Sequence, residues 1–183
     1  MLKDDPERYV QRSVANNLND IAKDHPDVAV EVCRRWSVDA NPDRKWIVRH
    51  ALRSLVKGSH PGAFVVLGYS STPLLAIADV EFTPLEVALG GRLRFALSLV
   101  SDSDQDQRLL VDFAVHFVKA DGTRRPKVFK LRELVLSAGS KTNLEGAVSF
   151  AEMTTRKHRP GRRKIDLLVN GEAYPLGEFE VVP

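Results

Sequence analysis

Apolar positions recur at steps of three and four up to about residue 69, and from residue 74 onward they alternate. In the first part, Val10, Val14, Leu18, Ile21 and Ala22 form one helical face, while Arg8, Arg12, Asn16, Asn19 and Lys23 form the opposite one. Asp5-Pro6-Glu7 supplies a start signal: a capping aspartate, a proline at the first helical position and an acid in the first turn. Asp24-His25-Pro26 ends that helix and starts a second, with Val28, Val32 and Trp36 on one side. Asn41-Pro42-Asp43 repeats the start. A third helix then buries Ile47, Val48, Ala51, Leu52 and Leu55 and turns Trp46, Arg49, His50, Arg53 and Lys57 the other way. A shorter apolar stretch from Pro61 to Tyr69 makes a last helix.

Helix pairs joined by short proline-marked turns predict HEAT-like repeats over residues 1–69. Two repeats fall below the roughly three that bury a stable core, so the segment leans on the rest of the chain or continues upstream. In stacked repeats equivalent helices line one concave surface, where the two basic stripes would merge. The alternative for those stripes is simple solvation. From Leu74 on, strands are expected at 75–82, 92–100, 109–119, 128–136, 145–153, 164–169 and 173–181, with hairpin turns at Asp121-Gly122 and Asn170-Gly171. Seven short strands with a turn about every dozen residues predict an immunoglobulin-like or fibronectin-like antiparallel β-sandwich over 73–183. The expected fold is therefore an α + β chain in two parts, divided near Tyr69–Pro73, where Ser70-Ser71-Thr72-Pro73 breaks the helical pattern.

Composition adds limits. No stretch approaches the roughly 20 apolar residues that span a bilayer, and the N-terminus carries no apolar signal region. One cysteine, Cys33, leaves no intrachain disulfide or Cys-rich zinc site, and a sandwich without a disulfide fits a cytoplasmic location. The net charge is only +3, so its distribution matters more than its sum. Residues 71–183 hold 16 basic and 15 acidic side chains, yet six of the basic ones fall within 156–164. Pro160-Gly161 is expected to present these cations, with His158, at the tip of a loop. Two readings remain for that loop: a solvated charged turn, or a contact with phosphate or the DNA minor groove, for which arginine is suited. A smaller cluster, Arg124, Arg125 and Lys127, invites solvation more than binding.

Tyr9-Val10-Gln11-Arg12-Ser13-Val14-Ala15-Asn16-Asn17-Leu18-Asn19-Asp20-Ile21, followed by Lys23-Asp24-His25-Pro26, resembles the last repeats of the HEAT-like-repeat DNA alkylation repair enzymes. The AlkC branch is resembled more closely than AlkD. Trp46-Ile47-Val48-Arg49-His50-Ala51-Leu52-Arg53, the Lys57-Gly58 and His60-Pro61 turn, and the 155–163 segment extend the resemblance over nearly the whole chain. The AlkC branch also appends an immunoglobulin-like domain. The resemblance implies excision of alkylated purines such as 3-methyladenine by cleavage of the N-glycosidic bond, with no metal or cofactor. In that family the lesion is held in a cleft of the solenoid, where a carboxylate and aromatic rings stabilise positive charge developing on the sugar. The methylated purine already carries a positive charge, which makes it a good leaving group.

Family members carry several repeats ahead of the stretch present here, and these supply most lesion-facing residues. The expectation is therefore a DNA-binding C-terminal portion of an alkylpurine glycosylase with little catalysis of its own, and double-stranded alkylated DNA as partner. Arg8, Arg12, Asn16, Arg49, Arg53, Arg156, Lys157, His158, Arg159, Arg162 and Arg163 are the candidate DNA-binding residues. Asp20 is the one candidate catalytic acid, with a capping or inter-repeat role as its alternative; for Trp36 and Trp46, packing between helices is favoured over facing a lesion. The competing reading is a protein-interaction module in which helices support a β-sandwich, and full glycosylase activity in this short form is a third. No membrane, metal or cofactor is expected, and the oligomeric state is open.

Overall fold

In the computed structural model, which describes residues 2–119, 122–152 and 158–183, the helical pattern becomes five α-helices. They are α1 (Arg8–Asp24), α2 (Pro26–Ser37), α3 (Pro42–Ala51), α4 (Arg53–Lys57) and α5 (Pro61–Val66). Asn41 caps α3 as expected, its Oδ1 accepting from the Arg44 amide at 2.8 Å. At the first start the chain behaves differently. Asp5 accepts from the Glu7 amide at 2.9 Å, and α1 begins only at Arg8. The side-chain amide of Gln11 reaches back to the carbonyls of Asp5 and Pro6, at 3.1 and 3.3 Å, and satisfies them in place of helix hydrogen bonds.

The buried stripe of α1 is Gln11, Ala15, Leu18, Asn19 and Ala22, rotated from the purely apolar face. Two amides sit inside because each meets backbone partners there. Asn19 Nδ2 donates to the Ala51 carbonyl at 2.8 Å, and Asn19 Oδ1 accepts from Ser54 Oγ at 3.0 Å. Asn19 is thus a clamp and not part of the exposed polar face. The carbonyl it takes lies beside Leu52, the residue that divides the expected single third helix into α3 and α4. The apolar face runs on through the break, and Ile47, Val48, Ala51, Leu52 and Leu55 pack with Leu18, Ala29, Cys33 and Ala63. Burial pushes the Cys33 thiol up to about 12, so it acts as a small apolar side chain.

The chain divides into two compact units, Met1–Ser71 and Thr72–Pro183. No helix or strand lies between Val66 and Leu75. The second unit holds β1 (Leu75–Thr83), β2 (Glu86–Ala88), β3 (Arg92–Ser101), β4 (Gln107–Val118), β5 (Arg124–Leu136), β6 (Lys141–Ser149), β7 (Gly161–Val169) and β8 (Glu172–Val182). They form two sheets, ordered β1-β3-β6 and β2-β8-β7-β4-β5. Their inner faces share a core of Leu93, Phe95, Leu97 and Leu99 from β3, Val111, Phe113, Val115 and Phe117 from β4, and Ile165 and Leu167 from β7. Strand β2 escapes a pattern reading because three residues are too few to show alternation, and it runs parallel to β8 where the other pairs are antiparallel. Asn170 (φ 49°) and Gly171 (φ 86°) make the expected tight turn between β7 and β8. In the other expected turn, Gly122 donates to the Lys119 carbonyl at 3.1 Å, while Asp121 lies outside the described residues.

The basic segment departs from expectation. Gly161, Arg162, Arg163 and Lys164 are not at a loop tip but are the first residues of β7, paired with Val181, Glu180, Phe179 and Glu178 of β8. A strand sends successive side chains to opposite faces, so four residues in extended pairing cannot present their charges together.

Candidate nucleic-acid interface

The contacts Arg8 to Trp46, Asn16 to Arg53 and Asn19 to Ser54 advance together along α1 and along α3–α4, so these helices run parallel. That arrangement brings the two sequence stripes side by side. The Arg8 guanidinium lies over the Trp46 ring, 3.6 Å from its centroid, and is steadied by a 2.8 Å bond to Gln11 Oε1. Trp46 stacks on His50 with ring centroids 4.8 Å apart and planes 11° from parallel. Beyond His50, Arg53 donates to the His50 carbonyl at 2.6 Å and to Asn16 Oδ1 at 3.1 Å. A continuous column results: Arg8, Trp46, His50, Arg53, Asn16.

Arg12 belongs to the same field. Burial, and then the positive charges of Arg53, Arg12 and Arg8, hold the His50 imidazole below its ordinary range. Among the described residues, no carboxylate is within ion-pair distance of Arg8, Arg12 or Arg53. Arg49 is exposed on α3. Asp20, the candidate acid, is exposed and bound to Lys23 Nζ at 2.7 Å, which with the charges of Lys23 and, more weakly, Arg53 keeps its carboxyl below the usual range. An exposed carboxylate held this way is a surface ion pair. Sequence position favours packing for Trp46, and the structure adds to this: the ring is half-buried, with a cation over it and an imidazole stacked on it.

The sandwich cations separate into different environments. Arg163 is fully buried and is not a surface contact. Its guanidinium lies 5.4 and 5.5 Å from the centroids of Phe117 and Phe150, and its Nη2 donates to the Arg159 carbonyl. His158 turns inward as well, with its ring 5.6 Å from Phe117 and 5.3 Å from Phe150. Arg159, Arg162 and Lys164 are exposed. Arg162 is 3.4 Å from Glu178, and Lys164 sits across the strand pair from that glutamate. Arg156 and Lys157 lie outside the described residues. On β5, Arg124 and Arg125 are exposed, and Lys127 rests 4.9 Å from the Phe129 ring centroid. No three His, Cys, Asp or Glu side chains among the described residues are grouped to hold a metal ion, and no described helix is long and apolar enough to cross a membrane.

The family model described as "Uncharacterised protein YhaZ, C-terminal Ig-like domain" matches residues 76–183, more than half of the chain. The chain belongs to this family. YhaZ of Bacillus subtilis (strain 168) is 35% identical over 180 residues, which are 98% of this chain and 50% of YhaZ. The similarity to YhaZ therefore continues through the helical unit. Among solved structures, the Pseudomonas fluorescens alkylpurine DNA glycosylase AlkC, bound to DNA containing an abasic site analog, superposes with a TM-score of 0.90 and 41% identity. That match covers 100% of this chain and 50% of AlkC. The chain thus spans about half the length of both relatives. The resemblance to AlkC drawn from the Asn-Asn-Leu-Asn-Asp and Arg-His motifs holds for sequence and fold together.

Proposed function

We propose that this chain is the DNA-engaging C-terminal portion of an alkylpurine DNA glycosylase, acting in the cytoplasm on alkylated duplex DNA. The observation that carries this reading is the basic column of α1, α3 and α4, in which Arg8, Arg12 and Arg53 are assembled with no described carboxylate at ion-pair distance, Asp20 acting on Arg53 only from farther off. Fixed cations left without a close carboxylate on a packed surface repel one another, and a polyanion relieves that cost. Arg8 and Arg53 are also immobilised by Trp46, Gln11, His50 and Asn16, which reduces the side-chain entropy lost on binding phosphate. The 41% identity to a glycosylase solved with DNA supports the same reading.

Asp20 is already engaged by Lys23, and this portion contributes binding and positioning rather than hydrolysis. Of the sandwich candidates, Arg159 and Arg162 are the described side chains available to phosphate. Phosphate contacts of this kind give affinity for duplex generally and do not select a lesion.

The test is duplex binding by anisotropy across a salt series, comparing the chain with Arg8→Ala/Arg12→Ala/Arg53→Ala. The expected result is weaker binding to damaged and undamaged duplex alike, with the salt slope reduced by about one for each phosphate that is no longer neutralised. Unchanged affinity at low salt would remove the stripe from the interface.

A further inference from the structure

We propose that His50 is a further phosphate-facing residue of the stripe and that it takes up a proton when duplex DNA docks. This rests on the DNA-binding reading of the same surface and adds a linkage to it. His50 occupies the middle of the column: its ring is stacked on Trp46, Arg53 is bonded to its own carbonyl, and Arg8 lies over the same indole. The charges acting on it come from every element packed there, Arg8 and Arg12 on α1 and Arg53 on α4, and all are positive. Its neighbour Arg49 adds a further exposed cation on α3.

Neutral imidazole is the consequence in the free protein. Burial and three guanidinium groups all oppose a fourth positive charge, so the free pKa lies below the ordinary value near 6.5. A phosphate backbone laid along the column reverses the balance. Its negative charges offset the guanidinium repulsion and offer an acceptor to a ring N–H of the imidazolium, a charge-assisted bond. The pKa in the complex therefore rises above that of the free protein. The sign follows from linkage. Binding strengthens as pH falls through the pKa of the complex, and the gain levels off once pH is below the pKa of the free protein. One proton sets the limit at about tenfold in affinity per pH unit inside that window.

Two measurements test it. In a Trp36→Phe variant Trp46 is the remaining tryptophan, and its emission reports protonation of the stacked imidazole. The expected result is a midpoint that moves upward when undamaged duplex is added at constant ionic strength. Separately, the duplex Kd is measured against pH for the wild-type chain and for His50→Gln. The wild-type affinity rises as pH falls, and His50→Gln loses that slope. If duplex binds with a stripe-dependent salt slope but both proteins share one pH dependence, or the midpoint stays put, the proton linkage is wrong while the DNA reading stands. Absence of duplex binding at low salt overturns both.

Discussion

Arg162 and Arg163 are adjacent in sequence and identical in chemistry, yet the pleat of β7 gives them opposite surroundings. Arg162 is solvated beside Glu178, an exposed pair of the kind worth at most about 1 kcal/mol. Arg163 lies at 0% exposure, its stem in the core and its guanidinium against the rings of Phe117 and Phe150, bonded to the Arg159 carbonyl. Truncating it removes that packing and the hydrogen bond to the Arg159 carbonyl. Arg163→Ala is expected to lower sandwich stability by about 1–3 kcal/mol, whereas Arg162→Ala stays within about half a kcal/mol. Urea unfolding of the two variants decides this, and equal midpoints would contradict the buried role. Charge counting puts both arginines at a binding tip, because a count of cations carries no information about which face of a strand each one occupies. Periodicity misplaces Asn19, and leaves the buried Gln11 unassigned, for a related reason. Their amides are buried by hydrogen bonds to distant or looped backbone, which a hydrophobic pattern does not register.

At the scale of elements, most of the fold is readable from the chain. Alternation locates seven strands to within a few residues, and proline-marked starts locate the helices, since burial on one face imposes those periods directly. What escapes depends on partners outside the local window: the three-residue β2, the break at Leu52 beside the carbonyl taken by Asn19, and the early start of β7 at Gly161, fixed by pairing with Val181. The pairing of β3 and β6 shows the same dependence at Gly146. It sits opposite Phe95, and a Cβ there would fall 2.2 Å from the Phe95 Cζ, far inside van der Waals contact. Phe95 in turn packs edge-on to Phe113 of β4, with centroids 5.0 Å apart, so the ring has a neighbour on its far side. Gly146→Ala must therefore displace Phe95 or shift β6. An overpacking cost of about 1–3 kcal/mol is expected, read as a lowered denaturation midpoint and altered near-ultraviolet aromatic signals. A midpoint equal to wild type would mean that the β3–β6 pair relaxes more freely than its register implies.

Across the whole molecule the charges nearly cancel, at 27 basic and 24 acidic residues, so affinity for a polyanion must come from where the cations stand and how each is compensated. The helical column and the β7 surface differ in that respect. Arg8, Arg12 and Arg53 have no carboxylate at ion-pair distance among the described residues, Asp20 acting on Arg53 only from farther off, whereas Arg162 faces Glu178 and Glu180, and Lys164 faces Glu178. A phosphate approaching β7 must compete with these glutamates, and an approaching phosphate is itself repelled by them. Glu178→Gln removes one competing charge while keeping the side-chain shape. If Arg162 is a phosphate contact, this variant binds duplex more tightly at low salt and gains up to about one unit of salt slope. Arg162→Ala then binds more weakly than wild type, and Arg162→Ala/Glu178→Gln returns no gain over Arg162→Ala, since the freed cation is gone. The comparison is made by anisotropy on one undamaged duplex across a salt series, with folding checked by circular dichroism. Identical affinities for Glu178→Gln and wild type at low salt would place the β7 face outside the DNA interface and leave the sandwich the charge-balanced surface of a protein-interaction module.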